Sequence, residues 1–209
     1  MVKNDREYRN MTMEVREAPE GDEGEKKIVV GYASTFDEPY KLFDGDGWEF
    51  WEVVDRTAFD ETDMSDVIMQ YDHTGRVFAR NKNGTLGLEA DDEGLKITAD
   101  LGGTEIGRQL YEEIRGGYTD KMSFGFRVGE DSRTETYDSE NNKITVLRTI
   151  LKVAKLFDVS AVSIPANDAT SISARAYSDG LVEELRAERQ AALERKAKFD
   201  ELKERLGKI

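Results

Sequence analysis

The sequence predicts an α+β fold that is mainly β, with a closed or partly closed β-barrel and a long C-terminal helix. Three observations favour this fold class. Short segments rich in strand-forming residues recur between residues 28 and 164 and are separated by turns. One internal segment has the apolar spacing of a helix, and a highly charged segment from residue 179 onward has helical periodicity. A strand-rich middle with a single helix is typical of a closed or partly closed β structure.

The first half of the chain contains four predicted strands. Residues 28–33 and 66–71 are short apolar runs bounded by polar residues. Residues 86–90 and 95–99 flank a polar turn that contains Gly94, which can adopt a positive φ. This second pair is therefore predicted to form a β-hairpin.

One internal helix is predicted between these strands and the second half of the chain. Thr104 is a suitable N-cap, and Ile106, Leu110 and Ile114 recur at four-residue spacing on one face. The glycine pair at 116–117 can end the helix.

The second half is predicted to contain two further apolar strands and one hairpin. Alternation over 123–128 places Phe124, Phe126 and Val128 on one face and Ser123, Gly125 and Arg127 on the other. Residues 133–137 and 144–148 flank a long polar tip and are expected to pair as a hairpin. The longest apolar strand covers 156–164, and its one acid is Asp158.

Composition changes divide the chain into three parts. Residues 1–27 contain a polar, turn-rich run and are expected to form a flexible arm or a loop at the edge of the fold. Residues 28–178 are the predicted folded domain. Residues 179–209 are predicted to form one long charged helix, whose apolar stripe hints at a weak coiled-coil seam.

Charge and composition exclude several classes of function. The chain has 209 residues, with 30 Lys+Arg, 44 Asp+Glu and a formal net charge of −14. This field repels phosphate backbones, so nucleic acid is not an expected partner. The absence of cysteine and the presence of only one histidine exclude a disulfide framework and a multi-histidine zinc cluster, and no metal or cofactor is expected. With no apolar run long enough for a signal or a membrane span, we expect a soluble, non-exported protein that has no membrane partner.

Three side chains in separate segments could form a hydrolytic site. His73 follows the strand predicted at 66–71, at a junction where a side chain is both held and exposed. Imidazole is the side chain best suited to move a proton near neutral pH, so a nucleophilic hydroxyl would need His73 as its base. The alternative is that His73 is a structural or surface histidine.

Ser123 and Asp158 are the candidate partners of that histidine. Ser123 precedes a Phe-Gly-Phe strand, where the glycine would let a substrate backbone approach, but it could equally be an ordinary strand serine. Asp158 lies in an apolar strand, where an unpaired carboxylate is costly and a histidine N–H would compensate it. Alternatively, Asp158 faces solvent or pairs with Lys152 or Lys155. Asp72, beside His73, would point the other way and is a poorer partner.

Two other motifs carry less information. The acidic, glycine-rich run at 44–47 lacks the further ligands of a calcium loop and is interpreted as a turn. Trp48 and Trp51 are interpreted as core or interface aromatics. A small β-barrel that binds a carbohydrate or peptide through these acidic loops and aromatics is a third hypothesis, but it explains none of the Ser, His and Asp placement.

The order of these segments resembles that of the prohead proteases of tailed bacteriophages. The resemblance covers roughly residues 28–175. Its most specific parts are Ser-Phe-Gly-Phe at 123–126 and the acid-led strand that ends in Pro-Ala-Asn at 165–167. Asp72-His73, the hairpin glycine and the glycine-terminated helix occur in the same order as in that family.

The resemblance implies a serine endopeptidase of capsid maturation, with a β-barrel surrounded by helices similar to the herpesvirus assembly protease. By motif, His73 would be the general base, Ser123 the nucleophile and Asp158 the orienting acid. The third position is more often Glu in that family, and 56–59 reads Arg-Thr-Ala-Phe where many relatives have Pro-Gly-Ala-Phe. Arg127, on the strand of Ser123, is a candidate for positioning substrate.

The family further implies partners and a location. The expected substrates are phage scaffold protein, major capsid protein and the chain itself, cleaved inside the assembling prohead in the host bacterial cytoplasm. A homo-oligomer is expected. Residues 179–209 either tether the enzyme to scaffold or pack on its own barrel. The alternative function is a catalytically silent capsid-assembly or scaffolding protein on the same fold.

Overall fold

The described part of the chain is built mainly of strands. The structure is a computed structural model, and it describes residues 6–12, 27–45 and 47–163 together with six positions between 187 and 198. Strands hold 59% of the described residues. In chain order the elements are β1 (Glu7–Thr12), β2 (Ile28–Thr35), β3 (Tyr40–Gly45), β4 (Trp48–Val54), β5 (Ile68–Tyr71), β6 (Thr74–Arg80), β7 (Leu86–Ala90), β8 (Gly94–Asp100), α1 (Glu105–Arg115), β9 (Lys121–Asp138) and β10 (Lys143–Val162).

Two long strands, β9 and β10, organise the larger sheet as an antiparallel hairpin. Along the other edge of β10, β4 pairs with residues 144–150 and β5 pairs with residues 158–161, both in parallel. Strand β1 pairs antiparallel with residues 121–126 of β9, β3 pairs with β4, and β6 pairs with β5. The half of the hairpin that carries Ser123 and Asp158 therefore lies between β1 and β5.

The smaller sheet has three antiparallel strands in the order β2-β8-β7. Its buried faces and α1 share one core with the larger sheet. Phe124 and Phe126 lie in this core, fully buried, and their rings stack with centroids 4.6 Å apart. A separate cluster forms around Trp48, which is 5% exposed, and involves β3, β4 and β10. The packing of Trp48 agrees with its interpretation as a core aromatic.

The predicted fold class is wrong. The described residues contain one α-helix, and neither sheet closes into a barrel: the larger sheet runs from β1 to β3, and the smaller is a separate three-stranded sheet. Several strands with turns between them do not determine whether the outer strands meet. Here the two ends of β10 pair with different strands, because β4 and β5 follow one another along a single edge of β10. The outer strands of the larger sheet therefore do not meet.

Several local elements agree with the sequence. Helix α1 begins after Thr104, whose side-chain oxygen accepts a hydrogen bond from Gly107 N at 3.0 Å, and Gly117 adopts φ +72° just after the helix ends. The β7–β8 hairpin forms as expected. In contrast, the segments predicted as separate strands at 123–128 and 133–137 are one strand, and those at 144–148 and 156–164 are parts of one strand that ends at Val162. Register shifts between β9 and β10 interrupt the alternation of apolar and polar residues. The sequence pattern therefore did not show that each pair of segments is one continuous strand.

Parts of the predicted three-way division lie outside the described residues. Of the expected arm at 1–27, residues 6–12 and 27 are described, and β1 is an edge strand there. Residues 164–186 are not described. Of the helix predicted at 179–209, only six positions are described, each helical and exposed, and the rest of that prediction lies outside the described residues.

Strand β1 is held by a buried ion cluster. Arg9 donates from Nε to Glu52 Oε1 at 2.5 Å and from Nη2 to Glu52 Oε2 at 2.8 Å. Arg148 Nη1 donates to the same Oε2 at 2.9 Å, and Tyr40 donates its hydroxyl to Oε1 at 2.5 Å. Burial alone would raise the pKa of Glu52, but the two arginines hold it below its usual value. The cluster therefore joins β1 to β4 and β10 by charged groups that water does not reach.

Candidate active site

His73 is placed by the tight turn between β5 and β6. Only Asp72 and His73 separate the two strands, and both have positive φ, +46° and +57°. Two-residue hairpin turns with two positive φ values match the twist of their strands, and Asp tolerates this conformation well. Asp72 also ties the turn to the end of β10, because its carboxylate accepts hydrogen bonds from Ser163 N at 3.1 Å and Ser163 Oγ at 3.0 Å. The imidazole therefore lies on a short turn whose backbone is held in place.

Ser123 lies inside the sheet, on β9. It stands opposite Asn10 of β1 on one side and Ser160 of β10 on the other, and it is fully buried. Its neighbours Met122 and Phe124 are core residues, so the strand position of Ser123 is set by packing on the other face. A serine held this way has a fixed backbone on which only its hydroxyl can turn.

Asp158 lies on β10 next to a bulge and is fully buried. It pairs with Ile68 of β5 and with Gly125 of β9. Ser160 Oγ donates to Asp158 Oδ1 at 2.6 Å, and Arg6 forms an ion pair with Oδ2. Lys152 and Lys155, the alternative partners considered from the sequence, bind Glu61 and Asp63 instead.

The structure brings the hydroxyl, the imidazole and the carboxylate into one hydrogen-bonded series. Ser123 Oγ lies 2.5 Å from His73 Nε2, and Asp158 Oδ1 lies 2.6 Å from His73 Nδ1. An ionised carboxylate can only accept, so its contact assigns the imidazole proton to Nδ1 and leaves Nε2 to accept from the serine. Such a series can remove the proton of a hydroxyl as it attacks a carbonyl carbon.

The surroundings of His73 keep its ring neutral. Burial lowers the pKa of His73 to about 4, the charge of Arg6 acts in the same direction, and Asp72 opposes them. The Tyr8 ring covers the imidazole with centroids 4.2 Å apart, while 16% of the His73 side chain remains exposed. A neutral imidazole at neutral pH is the form that can accept a proton.

Arg127 is not joined to this series. It is half-buried and stands opposite Lys155 in the β9–β10 pairing, and its side chain has no hydrogen bond or ion pair with any residue in the described part of the chain. The expectation that Arg127 positions substrate therefore stays a prediction.

Three residues of the site were missed from the sequence. Ser160 lies two positions after Asp158 on the same strand, a spacing of two that could have identified it. Arg6 and Tyr8 lie in the range expected to be an arm, and no local pattern marked them.

The structure gives a different reason for the glycine in the Ser-Phe-Gly-Phe segment from the one expected from the sequence. A Cβ on Gly125 would meet Asp158 Oδ2, and it would lie 2.8 Å from Arg6 Nε and 3.0 Å from Arg6 Nη2. Real Cβ atoms are essentially never found closer than 3.0 Å to such atoms. Gly125 is therefore needed because the carboxylate and guanidinium cover its face, rather than because a substrate backbone approaches it.

Comparison with known proteins identifies the family. A family model described as caudovirus prohead serine protease matches residues 11–183. No curated protein and no solved structure matches the chain. None of the helices in the described residues is sufficiently long and apolar to cross a bilayer. Because the match covers most of the sequence and includes the segments of His73, Ser123 and Asp158, the chain belongs to the caudovirus prohead serine protease family, whose members act in capsid maturation inside the assembling phage capsid.

Proposed function

We propose that the chain is a serine endopeptidase in which Ser123 is the nucleophile, His73 the general base and Asp158 the residue that orients it. The observation that carries the proposal is the continuous contact from Ser123 Oγ through both imidazole nitrogens to Asp158 Oδ1, at 2.5 and 2.6 Å. Family membership independently supports a serine protease. Burial of the carboxylate and partial exposure of the imidazole suit a base that must stay oriented while it meets substrate.

The mechanism follows from these contacts. His73 Nε2 takes the hydroxyl proton as Ser123 Oγ forms a bond to the peptide carbonyl carbon, and Asp158 stabilises the imidazolium that results. The imidazolium then gives its proton to the leaving amine as the peptide C–N bond breaks. Water attacks the acyl carbon while His73 Nε2 accepts its proton. His73 then returns that proton to Ser123 Oγ as the acyl C–O bond breaks and the carboxylic acid product leaves.

The proposed substrates are the phage scaffold protein and the major capsid protein, and the chain also cleaves itself. Family membership supports capsid-protein substrates in general. The enzyme would act as a homo-oligomer in the prohead interior, within the host bacterial cytoplasm.

Residues 28–178 would be the protease domain, and residues 179–209 would tether it to scaffold. Removal of residues 179–209 should then prevent incorporation into proheads and leave peptide cleavage intact, whereas normal incorporation of that truncated protein would contradict the tether.

Labelling with a fluorophosphonate probe tests the catalytic assignment. The probe should modify Ser123 in the wild-type protein, as mapped by mass spectrometry, and His73→Ala should lose most of the labelling. Cleavage of a capsid or scaffold peptide should fall by about 10³-fold or more in Ser123→Ala. Ser132→Ala is the matched control, because Ser132 lies exposed on the same strand.

Two outcomes would contradict the proposal. Unmodified Ser123 in folded wild-type protein would favour a silent assembly module on the same fold. Robust peptide cleavage by purified Ser123→Ala protein would show that another residue is the nucleophile.

A further inference from the structure

We propose that Arg6 is a positioning residue of this active site, which acts through Asp158 by pairing with its buried carboxylate and holding it turned toward His73. The residue just before β1 thereby completes a site whose other members lie on β9, β10 and the β5–β6 turn. The inference rests on the proposed function and extends it to a residue far from the other three in sequence.

The buried charge of Asp158 is balanced by Arg6. This carboxylate is fully buried, and its histidine partner is neutral in the resting state. A buried charge is costly unless it is paired and hydrogen-bonded. In the described part of the chain, Arg6 is the one arginine or lysine paired with it, through Nη2 on Oδ2. Asp158 therefore depends on Arg6 for its compensating charge.

The two carboxylate oxygens of Asp158 have different partners. Oδ1 receives the His73 ring at 2.6 Å and the Ser160 hydroxyl at 2.6 Å, whereas Oδ2 faces Arg6. Because an arginine only donates, its contact fixes which oxygen is turned away from the imidazole. Rotation of the carboxylate about its Cβ–Cγ bond would break contacts at both oxygens at once. Arg6 thus sets the orientation of the carboxylate toward the imidazole.

Arg6 is itself held in place by its neighbours. Its guanidinium carbon lies 4.8 Å from the centroid of the Phe157 ring and 5.3 Å from that of Tyr8, the ring that also covers His73. Gly125 leaves the space in which the guanidinium and the carboxylate meet. Arg9, three positions along the chain, is fixed in the buried ion cluster with Glu52. The anchored strand β1 therefore fixes the position of Arg6, the residue just before it, between these rings and the Asp158 carboxylate.

The charge of Arg6 also acts on the imidazole. The titratable or charged groups that face His73 are Arg6 and Tyr8 from the N-terminal segment, Asp158 from β10 and Asp72 in its own turn. A positive neighbour opposes protonation of the ring, so loss of Arg6 makes the imidazolium easier to form. The acid limb of the activity profile should then move to higher pH, which a purely structural role of Arg6 would not cause.

The test compares Arg6→Gln and Arg6→Lys with the wild-type protein. In Arg6→Gln we expect kcat for peptide cleavage to fall by about 10- to 100-fold, the range of one hydrogen bond to a charged group, with little change in KM because the proposed role of Arg6 is to hold Asp158. Arg6→Lys, which keeps the charge without the planar fork, should recover part of kcat and keep the acid limb in place. His73 is the one histidine of the sequence, so its NMR titration reports its pKa directly, and that pKa should rise in Arg6→Gln.

Two control variants separate this role from general loss of stability. Arg56→Gln removes an exposed arginine from its pair with Asp37 and should change neither kcat nor the His73 titration. Arg9→Gln loosens the strand that follows Arg6 but keeps the Arg6 charge, so it should lower the melting temperature and raise the His73 pKa by less than Arg6→Gln does.

The proposal is overturned if Arg6→Gln keeps wild-type kcat, or if its kcat falls while the His73 titration does not move. Should Arg6→Gln fail to fold, Arg6→Met takes its place, and wild-type kcat or an unmoved His73 titration in that variant overturns the proposal. Failure of the protease assignment looks different, because Ser123 would then resist the fluorophosphonate in the wild-type protein while the titration still reported on Arg6.

Discussion

Replacement of Asp158 by asparagine should disable the site through the proton on His73. The amide has one oxygen and one NH2 group for the two positions that the carboxylate oxygens occupy. Arg6 can only donate, so the amide oxygen should face Arg6 and the NH2 should face the imidazole. His73 Nδ1, 2.6 Å from that position, must then accept, and its proton moves to Nε2. An Nε2–H group cannot accept the proton of Ser123.

The size of the loss follows from the same contacts. The opposite orientation of the amide would restore the correct tautomer but lose the charged hydrogen bond with Arg6, which is worth about 1.5–3 kcal/mol. That difference alone lowers the competent population by about 10- to 100-fold. The amide also carries no charge to stabilise the imidazolium that forms during attack. The same substitution in another Ser-His-Asp triad lowers kcat by about 10⁴-fold, and we expect a loss of that order here.

Steady-state cleavage of a capsid-derived peptide at pH 7 measures this effect. Thermal unfolding should show that Asp158→Asn is folded, and Asp37→Asn is the matched control, because Asp37 is exposed and asparagine also tolerates its positive φ of 56°. If kcat of folded Asp158→Asn stays within about 10-fold of the wild-type value, the orienting role of Asp158 is refuted.

Three further predictions concern pH, packing and stability. Activity should be constant near neutral pH and fall as the pH drops through about 4, because protonated His73 cannot act as a base; a pH profile of kcat/KM with its acid limb near 6.5 would contradict the lowered pKa. Gly125→Ala should lower kcat and leave the protein folded, since its Cβ displaces the buried carboxylate and guanidinium; wild-type kcat in this variant would contradict that contact. Glu52→Gln should cost about 3–5 kcal/mol in urea unfolding, because it removes the charge between two buried arginines; a change below about 1 kcal/mol would show that the cluster contributes little.

Local parts of the fold could be predicted because their signals are local. The cap at Thr104, the four-residue spacing after it and the glycine pair are all contained in one short segment, and α1 forms there. The β7–β8 hairpin depends on one turn. Sheet closure depends instead on which strands meet at the edges, and nothing in the composition of a strand specifies a partner far along the chain.

The candidate site shows the same contrast. His73, Ser123 and Asp158 could be chosen from the sequence because each has an unusual local context, and the structure brings them within hydrogen-bond distance of one another. Arg6 could not be chosen in this way, because its partner lies 152 positions away and its own surroundings in the sequence are polar and ordinary. A buried charge far from its compensating partner is visible only once the fold is known.

A double-mutant cycle on Ser123 and His73 measures whether the hydroxyl and the imidazole work together. If the two side chains act as one unit, Ser123→Ala, His73→Ala and the combined variant should all lose similar activity, because removal of either member already removes the whole effect. The single-turnover rate of peptide cleavage by the four proteins gives the comparison. Equal losses in all three variants are the predicted result, and a combined loss equal to the product of the two single losses would contradict the account.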